Sequence, residues 1–234
     1  MIKPRALTSL SMVFPCYNES LNLGNVIEQA LKVGEMYGVD YEIVVADDGS
    51  EDNSAEIVRQ WSSRNSRIKL VQHGKNRGYG AAVRTAIGSA TKDLVLLADS
   101  DNQQRLENIE KLFSKIDSCD AVVGYRIRRQ DNTWRRMGGS FWTLLSNFLF
   151  RLKIRDVDCA FKLFRRKALE GVELKSDNLL IHAEILARLR KKGCRIEEIG
   201  IPHYPREAGK ATATRFDRVL KSIAELFKLY WQLR

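Results

Sequence analysis

The first half of the chain alternates between two hydrophobic periods. Residues 7–14 (LTSLSMVF) read as a strand that runs into the polar turn PCYNES. The period then changes. In NLGNVIEQALKVGEMYG, Leu23, Val26, Ile27, Ala30 and Leu31 recur at helical spacing. YEIVVA (41–46) is a β-rich run that stops at DDGSEDNS. There Asp52 or Asn53 can cap a helix whose apolar face is Ile57, Val58 and Trp61. IKLVQH (68–73) predicts a third strand, and GYGAAVRTAIGSA (78–90) a helix rich in small residues. DLVLLA (93–98) predicts a fourth strand, LENIEKLFSKI (106–116) a helix and AVVGYR (121–126) a fifth strand.

Repeated strand-then-helix units imply an α/β fold with a mostly parallel sheet and helices on both faces. Ligands on such sheets bind beyond the carboxyl ends of the strands. PCYNE, DDGS and DSD follow strands one, two and four, so three polar turns should converge at one sheet edge. The second half is less regular. FWTLLSNFLF (141–150) is unusually apolar. HAEILARLRKKG (182–193) predicts a helix stopped by Gly193. In residues 215–234, Phe216, Val219, Leu220, Ile223, Phe227, Tyr230 and Leu233 form one stripe, with basic residues on the other faces. These readings divide the chain into a catalytic-sized unit, 1–214, and an amphipathic helix, 215–234.

Composition narrows the class. With 234 residues and 44% hydrophobic content, the chain can bury a full core. Cys16, Cys119, Cys159 and Cys194 lie far apart with no CxxC spacing, which argues against a zinc knuckle and for a reducing compartment. The N-terminus is too polar for a secretory signal, and no apolar run reaches the roughly 18 residues of a membrane span. Charge is lopsided. Residues 1–119 carry 14 basic and 16 acidic side chains, whereas residues 120–234 carry 25 and 13. An anion-facing surface in the second half follows. A nucleic-acid partner is disfavoured, because no recognition motif is present and acidic strand ends repel phosphates.

The fourth strand ends on Asp99 and Asp101. Two carboxylates this close repel unless a cation sits between them or one is protonated. Mg²⁺ or Mn²⁺ would answer that, held by one or two carboxylates with substrate phosphates completing the shell, and Gln103 could add a carbonyl oxygen. The alternative is structural, with Asp99 capping a turn and Asp101 the following helix. DDGS adds acids at the neighbouring strand end, and Tyr17 could lie against a base. There is no GxxxxGK[ST], and GYGAAV lacks the third glycine of a dinucleotide fingerprint.

Taken together, VFPCYNES, YEIVVADDGSEDNS, NRGYGAAVRTAI, LLADSDNQ, VVGYRIRR and DVDCAFKLFRR, in that order, resemble glycosyltransferase family 2, inverting enzymes of GT-A fold. The nearer likeness is to the branch with polyprenyl-phosphate acceptors, the dolichol-phosphate mannose synthase type. It covers roughly residues 8–215. The resemblance implies that Pro15, Tyr17 and Glu19 contact the nucleotide, with Ala46 and Asp48 around its base. Asp99, Ser100, Asp101 and Gln103 would hold the metal, Mg²⁺ or Mn²⁺, and the donor diphosphate. Arg126 would reach the phosphates, and Arg136 and Ser140 the lipid phosphate. Asp156, with Asp158 as second choice, would stand near the transfer centre. Arg206 would lie on a loop that closes over the donor. The family's usual loop lysine is replaced here by Thr212, with Lys210 nearest.

The implied reaction moves a hexose from a nucleotide-diphosphate sugar, GDP-mannose or UDP-glucose in type, to a dolichyl or undecaprenyl phosphate. Asp101, Asp156 and Arg126 would be its catalytic residues. An anionic acceptor hardly needs a general base, so His73, His182 and His203 are expected to be structural or peripheral. A polyprenyl phosphate also implies a peripheral enzyme at the cytoplasmic face of a membrane, with 141–150 and 215–234 as interfacial helices. The alternative is a family 2 enzyme acting on a soluble glycan or other non-lipid acceptor.

Overall fold

The computed structural model describes residues 4–127, 133–206 and 216–233. All five expected strands are there: β1 (Ser9–Cys16), β2 (Asp40–Asp47), β3 (Ile68–Gln72), β4 (Leu94–Leu97) and β5 (Ala121–Ile127). So are the helices between them: α1 (Ser20–Tyr37), α2 (Ser54–Arg64), α3 (Tyr79–Gly88) and α4 (Ile109–Ile116). Two strands were not legible. β6 (Lys162–Arg165) is four residues bracketed by basic side chains. β7 (Ile196–Pro202) is a half-buried edge strand interrupted by two glutamates and a glycine. Strands run β3-β2-β1-β4-β6-β5-β7 across the sheet. β6 lies antiparallel to both of its neighbours, while the β1–β2, β2–β3, β1–β4 and β5–β7 pairs are parallel.

Alternating side chains divide between two faces. Met12, Phe14, Ile43, Val45, Leu96 and Val122 pack against α1, α2 and α4. Val13, Val44, Val95, Leu97, Ala121 and Phe164 meet α3, the short α6 (Arg166–Leu169) and α7 (Leu180–Lys191). This is the three-layer packing expected of repeated βα units, and it matches the GT-A architecture. Gly193, at φ +80°, follows the end of α7 in the left-handed region, as anticipated.

The second half bears on the two helices expected at an interface. In helix α8 (Phe216–Leu233), from Ser222 onward, the anticipated stripe divides: Leu233 packs inward and the Tyr230 ring meets Phe150, centroids 6.2 Å apart. Leu226 and Leu229 are buried against α5 (Thr133–Phe150) and α7, whereas Phe227 is exposed. In α5, Trp142, Leu145 and Leu149 pack on the same cluster, and Thr143 and Ser146 are buried. The large apolar residues it leaves in solvent are Met137, Phe141, Leu144 and Phe148, the last 80% exposed. No described helix is long and apolar enough to cross a membrane.

Parallel pairing sets the site. Cys16 is in register with Asp47, and Asp47 with Gln72, so β1, β2 and β3 end level. Their turns are then knitted together. Asn18, at φ +55°, accepts the Glu51 N–H at 2.8 Å, and its own N–H donates to Ser50 Oγ at 2.9 Å. Asp52, rather than Asn53, holds the start of α2, accepting from the N–H and Oγ of Ser54.

The opposite end of the sheet carries a buried acid. Glu42 accepts from Ser11 Oγ at 2.6 Å, Lys69 Nζ at 2.7 Å, and the N–H and hydroxyl of Thr91. Burial alone would raise its pKa, but these donors prevail and bring it down to about 2. A lowered folded-state pKa contributes stability that is fully present above the unfolded value and lost as pH falls toward the folded one. Thermal melts should therefore show wild-type Tm dropping as pH falls from about 4.5 toward 2. Glu42→Gln should begin lower at pH 7 and fall less steeply.

Candidate active site

Three turns meet at the carboxyl edge, as the sequence implied. From β1 come Pro15, buried, Tyr17, exposed, and Glu19, half-buried. From β2 come Ala46 and Asp48, both buried. Beyond β4 lie Asp99, Ser100, Asp101 and Gln103.

Asp99 is the most perturbed of these acids. Burial first, and then the charge of Asp101, push its carboxyl up to about 6, against a hydrogen bond from the Tyr79 hydroxyl at 2.7 Å. Asp101 has a cationic partner: Arg206 Nη2 donates to its Oδ2 at 3.2 Å and to Glu19 Oε1 at 3.0 Å. Burial raises the pKa of Glu19 as well, countered by Asn22 and Arg206. One guanidinium thus ties the turn after β7 to two acidic turns. Arg206 is the last described residue before 216. Lys210 and Thr212 lie outside the described residues.

Other expected site residues have partners within the protein. The Ser100 hydroxyl is buried and donates to the Pro15 carbonyl at 2.9 Å, fastening β4 to β1. Gln103 donates through Nε2 to the Tyr204 carbonyl at 3.3 Å, so its amide anchors the turn after β7. Asp48 accepts from the N–H groups of Arg77 and Gly78 at 2.9 and 2.8 Å, and pairs with His73 Nδ1 at 2.7 Å. Its carboxylate shapes the loop before α3. Asp47, which the sequence did not single out, is better placed for a ligand. Its Oδ2 accepts from Ser50 N–H and Gln72 Nε2, while its buried Oδ1 has no hydrogen-bond partner among the described residues. A cleft lined by Gly49, Ser50, Gln72, His73 and Lys75 opens beside it. An unsatisfied buried carboxylate oxygen is costly unless a ligand supplies a donor.

Arg126 and Asp156 form a two-pronged ion pair. Nε and Nη2 donate to the two carboxylate oxygens at 2.7 and 2.8 Å, and the Arg126 N–H adds a third bond at 3.2 Å. Burial would lower the Arg126 pKa, but Asp156 outweighs it and raises it. Two expected catalytic residues therefore come together, with their charges mutually neutralised. Arg136 and Ser140 sit exposed on α5, where the Ser140 hydroxyl bonds back to the Arg136 carbonyl at 2.9 Å.

Do these residues fit a divalent cation? Among the described residues, no three His, Cys, Asp or Glu side chains group closely enough to hold one alone. Two acids that repel, one of them pushed up to about 6, suit a cation whose remaining ligands arrive with a diphosphate.

A family model for glycosyl transferase family 2 matches residues 11–172, more than half of the chain and all three acidic turns. The chain belongs to glycosyl transferase family 2. It is a glycosyltransferase. Among solved structures it is similar to glucosyl-3-phosphoglycerate synthase from Mycobacterium tuberculosis. The complex of that protein with Mn²⁺, UDP and phosphoglyceric acid has a TM-score of 0.72 at 17% identity, over 97% of this chain and 80% of that one. Its complex with Mn²⁺ and UDP-glucose gives 0.66 at 15%, over 98% and 80%. At these identities the likeness shows the fold. The dolichol-phosphate mannose synthase branch is not among these neighbours.

The glycines of this glycosyltransferase explain a motif left open above. A Cβ on Gly80 would stand 2.3 Å from the Ser176 carbonyl oxygen, and one on Gly49 2.6 Å from the backbone of Lys75. GYG lets α3 press against the 176–178 loop, where Gly80 N–H donates to the Asp177 carbonyl at 3.0 Å. Gly80→Ala should cost about 1–3 kcal/mol through overpacking. Urea denaturation would read that loss, and an unchanged midpoint would contradict the close approach.

Proposed function

We propose that this family 2 enzyme transfers a hexose, with inversion, from a UDP-sugar to a non-lipid acceptor, using Mg²⁺ or Mn²⁺ shared between Asp99, Asp101 and the donor diphosphate. The observation that carries the donor half is the repelling Asp99–Asp101 pair at the tip of β4, at the same sheet edge as the unsatisfied Asp47 oxygen at the tip of β2, with β1 between them. UDP and Mn²⁺ in the fold neighbours support the same reading. A cation held there would act as a Lewis acid on the departing diphosphate.

The chain's own residues divide the remaining tasks. Asp47 Oδ1 would accept an N–H of the base, with Tyr17 free to lie along its face. Arg206 sits beside Asp101, a fork-shaped donor suited to phosphate. Asp156 is held by Arg126, so it orients groups or offsets positive charge at the sugar carbon rather than taking a proton.

Support for a soluble acceptor comes from the neighbours, whose complexes contain phosphoglycerate or glycerol 3-phosphate. A second reading, a polyprenyl phosphate, is favoured by one observation. Met137, Phe141, Leu144 and Phe148 recur at helical spacing on the exposed side of α5, an apolar stripe on a basic half of the chain. An anionic phosphate acceptor would also suit a site in which Asp156 is already paired with Arg126.

The donor reading is tested with a nucleotide-sugar panel plus Mn²⁺ or Mg²⁺. Asp99→Asn and Asp101→Asn should each lower transfer by at least about 100-fold. Activity that survives both changes would remove it. Phosphoglycerate-type and polyprenyl-phosphate acceptors, offered in parallel, separate the two acceptor readings. In the lipid case the protein should sediment with anionic vesicles, and Phe141→Asp with Phe148→Asp should release it. Trp142 is the poorer target, because it packs inward.

A further inference from the structure

Beneath Asp99 runs a buried chain of polar side chains that the proposed reaction does not use. Lys162, the first residue of β6, is fully buried. Its Nζ donates to the Val157 carbonyl at 3.1 Å and to the Cys159 carbonyl, and lies 3.3 Å from His182 Nδ1. His182, on α7, places Nε2 3.1 Å from the Tyr79 hydroxyl, which in turn reaches Asp99 Oδ1 at 2.7 Å. His182 is also buried, so none of its contacts is replaced by bulk water.

Donor counting gives this chain a direction. An ammonium has three N–H groups and no acceptor, and Lys162 has three acceptors in reach: two carbonyls and His182 Nδ1. His182 Nδ1 is then the ring's acceptor. Burial first, then the charge of Lys162, hold the imidazole pKa well below its ordinary value, so the ring is neutral and its single N–H is on Nε2. That N–H donates to the Tyr79 oxygen, which leaves the phenol's one hydrogen for Asp99. Every bond therefore points the same way, from a buried ammonium to the acid at the end of β4. Hydrogen bonds so aligned polarise one another in a low-dielectric interior.

We infer that Tyr79 and His182 are positioning residues, which together with Lys162 fix the Asp99 carboxylate in the one orientation that presents its second oxygen to the donor's cation. The inference rests on the reading of Asp99 and Asp101 as the cation-binding pair. It also explains how two distant motifs stay in step. The carbonyls that Lys162 gathers belong to the DVDC turn, which carries Asp156, the partner of Arg126. One lysine thus anchors both the acid at the diphosphate end and the turn on the other side of the site. Tyr79 comes from GYG, and the Gly78 and Gly80 approaches to residues 176–178 bring its ring against His182, with centroids 5.4 Å apart.

The test is Mn²⁺ binding in the presence of UDP, followed by calorimetry and by the Mn²⁺ electron paramagnetic resonance signal, without turnover. Tyr79→Phe removes one hydroxyl and little volume. It should weaken Mn²⁺ about 10-fold, the usual lower bound for losing an outer partner of a metal ligand. The metal-free Tm should fall, because the Asp99 oxygen and the His182 N–H lose their shared partner. UDP binding without metal should stay within error, whereas a merely structural role would weaken UDP and Mn²⁺ alike. His182→Phe should weaken Mn²⁺ similarly, and the double variant should be no worse than either single one, because both cut the same chain. Wild-type affinity in Tyr79→Phe, or additive losses in the double variant, would overturn the relay while leaving the cation site standing. Wild-type protein that takes up no Mn²⁺ with UDP would overturn the site itself, and the relay with it.

Discussion

Like charges at the tip of one short strand organise this protein. Burial makes Asp99 costlier to ionise, and the charge of Asp101 close by adds to that. Positive potential and hydrogen reach them from two sides. Arg206 reaches Asp101 from the turn after β7, and Tyr79 donates to Asp99 from the start of α3. Behind Tyr79 lies the Lys162 ammonium, two hydrogen bonds away. The acids are thus tolerated by the apo fold and remain suited to a stronger cation.

The same constraint accounts for the glycines and buried polar groups nearby. Tyr79 can reach Asp99 only if α3 lies against the 176–178 loop and α7, and that approach leaves no room for a Cβ at Gly78 or Gly80. Glu184 is buried on α7 and accepts the N–H groups of Lys175 and Ser176, which holds the loop in place. Asp48 fastens the other end of the same stretch through Arg77 and Gly78. A loop that looks in sequence like a glycine cradle is instead a packing joint under the acidic pair.

The basic second half has two faces with different fates. Leu226, Leu229 and Trp142 complete the core around α5, α7 and α8. Phe141, Phe148 and the 65%-exposed Trp231 stay in solvent. Period alone put Phe227 and Tyr230 on one stripe of α8, yet Phe227 is exposed while Tyr230 meets Phe150. Which side turned inward was decided by where α7 lay.

Sequence by itself determined the βα alternation, the convergence of PCYNE, DDGS and DSD at one edge, and the family, because these are local patterns of period and charge. Gly193 as a helix stop was legible for the same reason. Tertiary structure alone decided that β6 runs antiparallel between β4 and β5, and that Asp156 meets Arg126. It also decided that Ser100 and Gln103 bond to backbone, that Asp47 rather than Asp48 keeps an open oxygen, and that Tyr79, His182 and Lys162 line up behind Asp99. Each of these is a contact between residues far apart in the chain. Hydrophobic period says which way a side chain faces within its own element, but a hydrogen-bond partner across the sheet depends on register and packing that no local window contains.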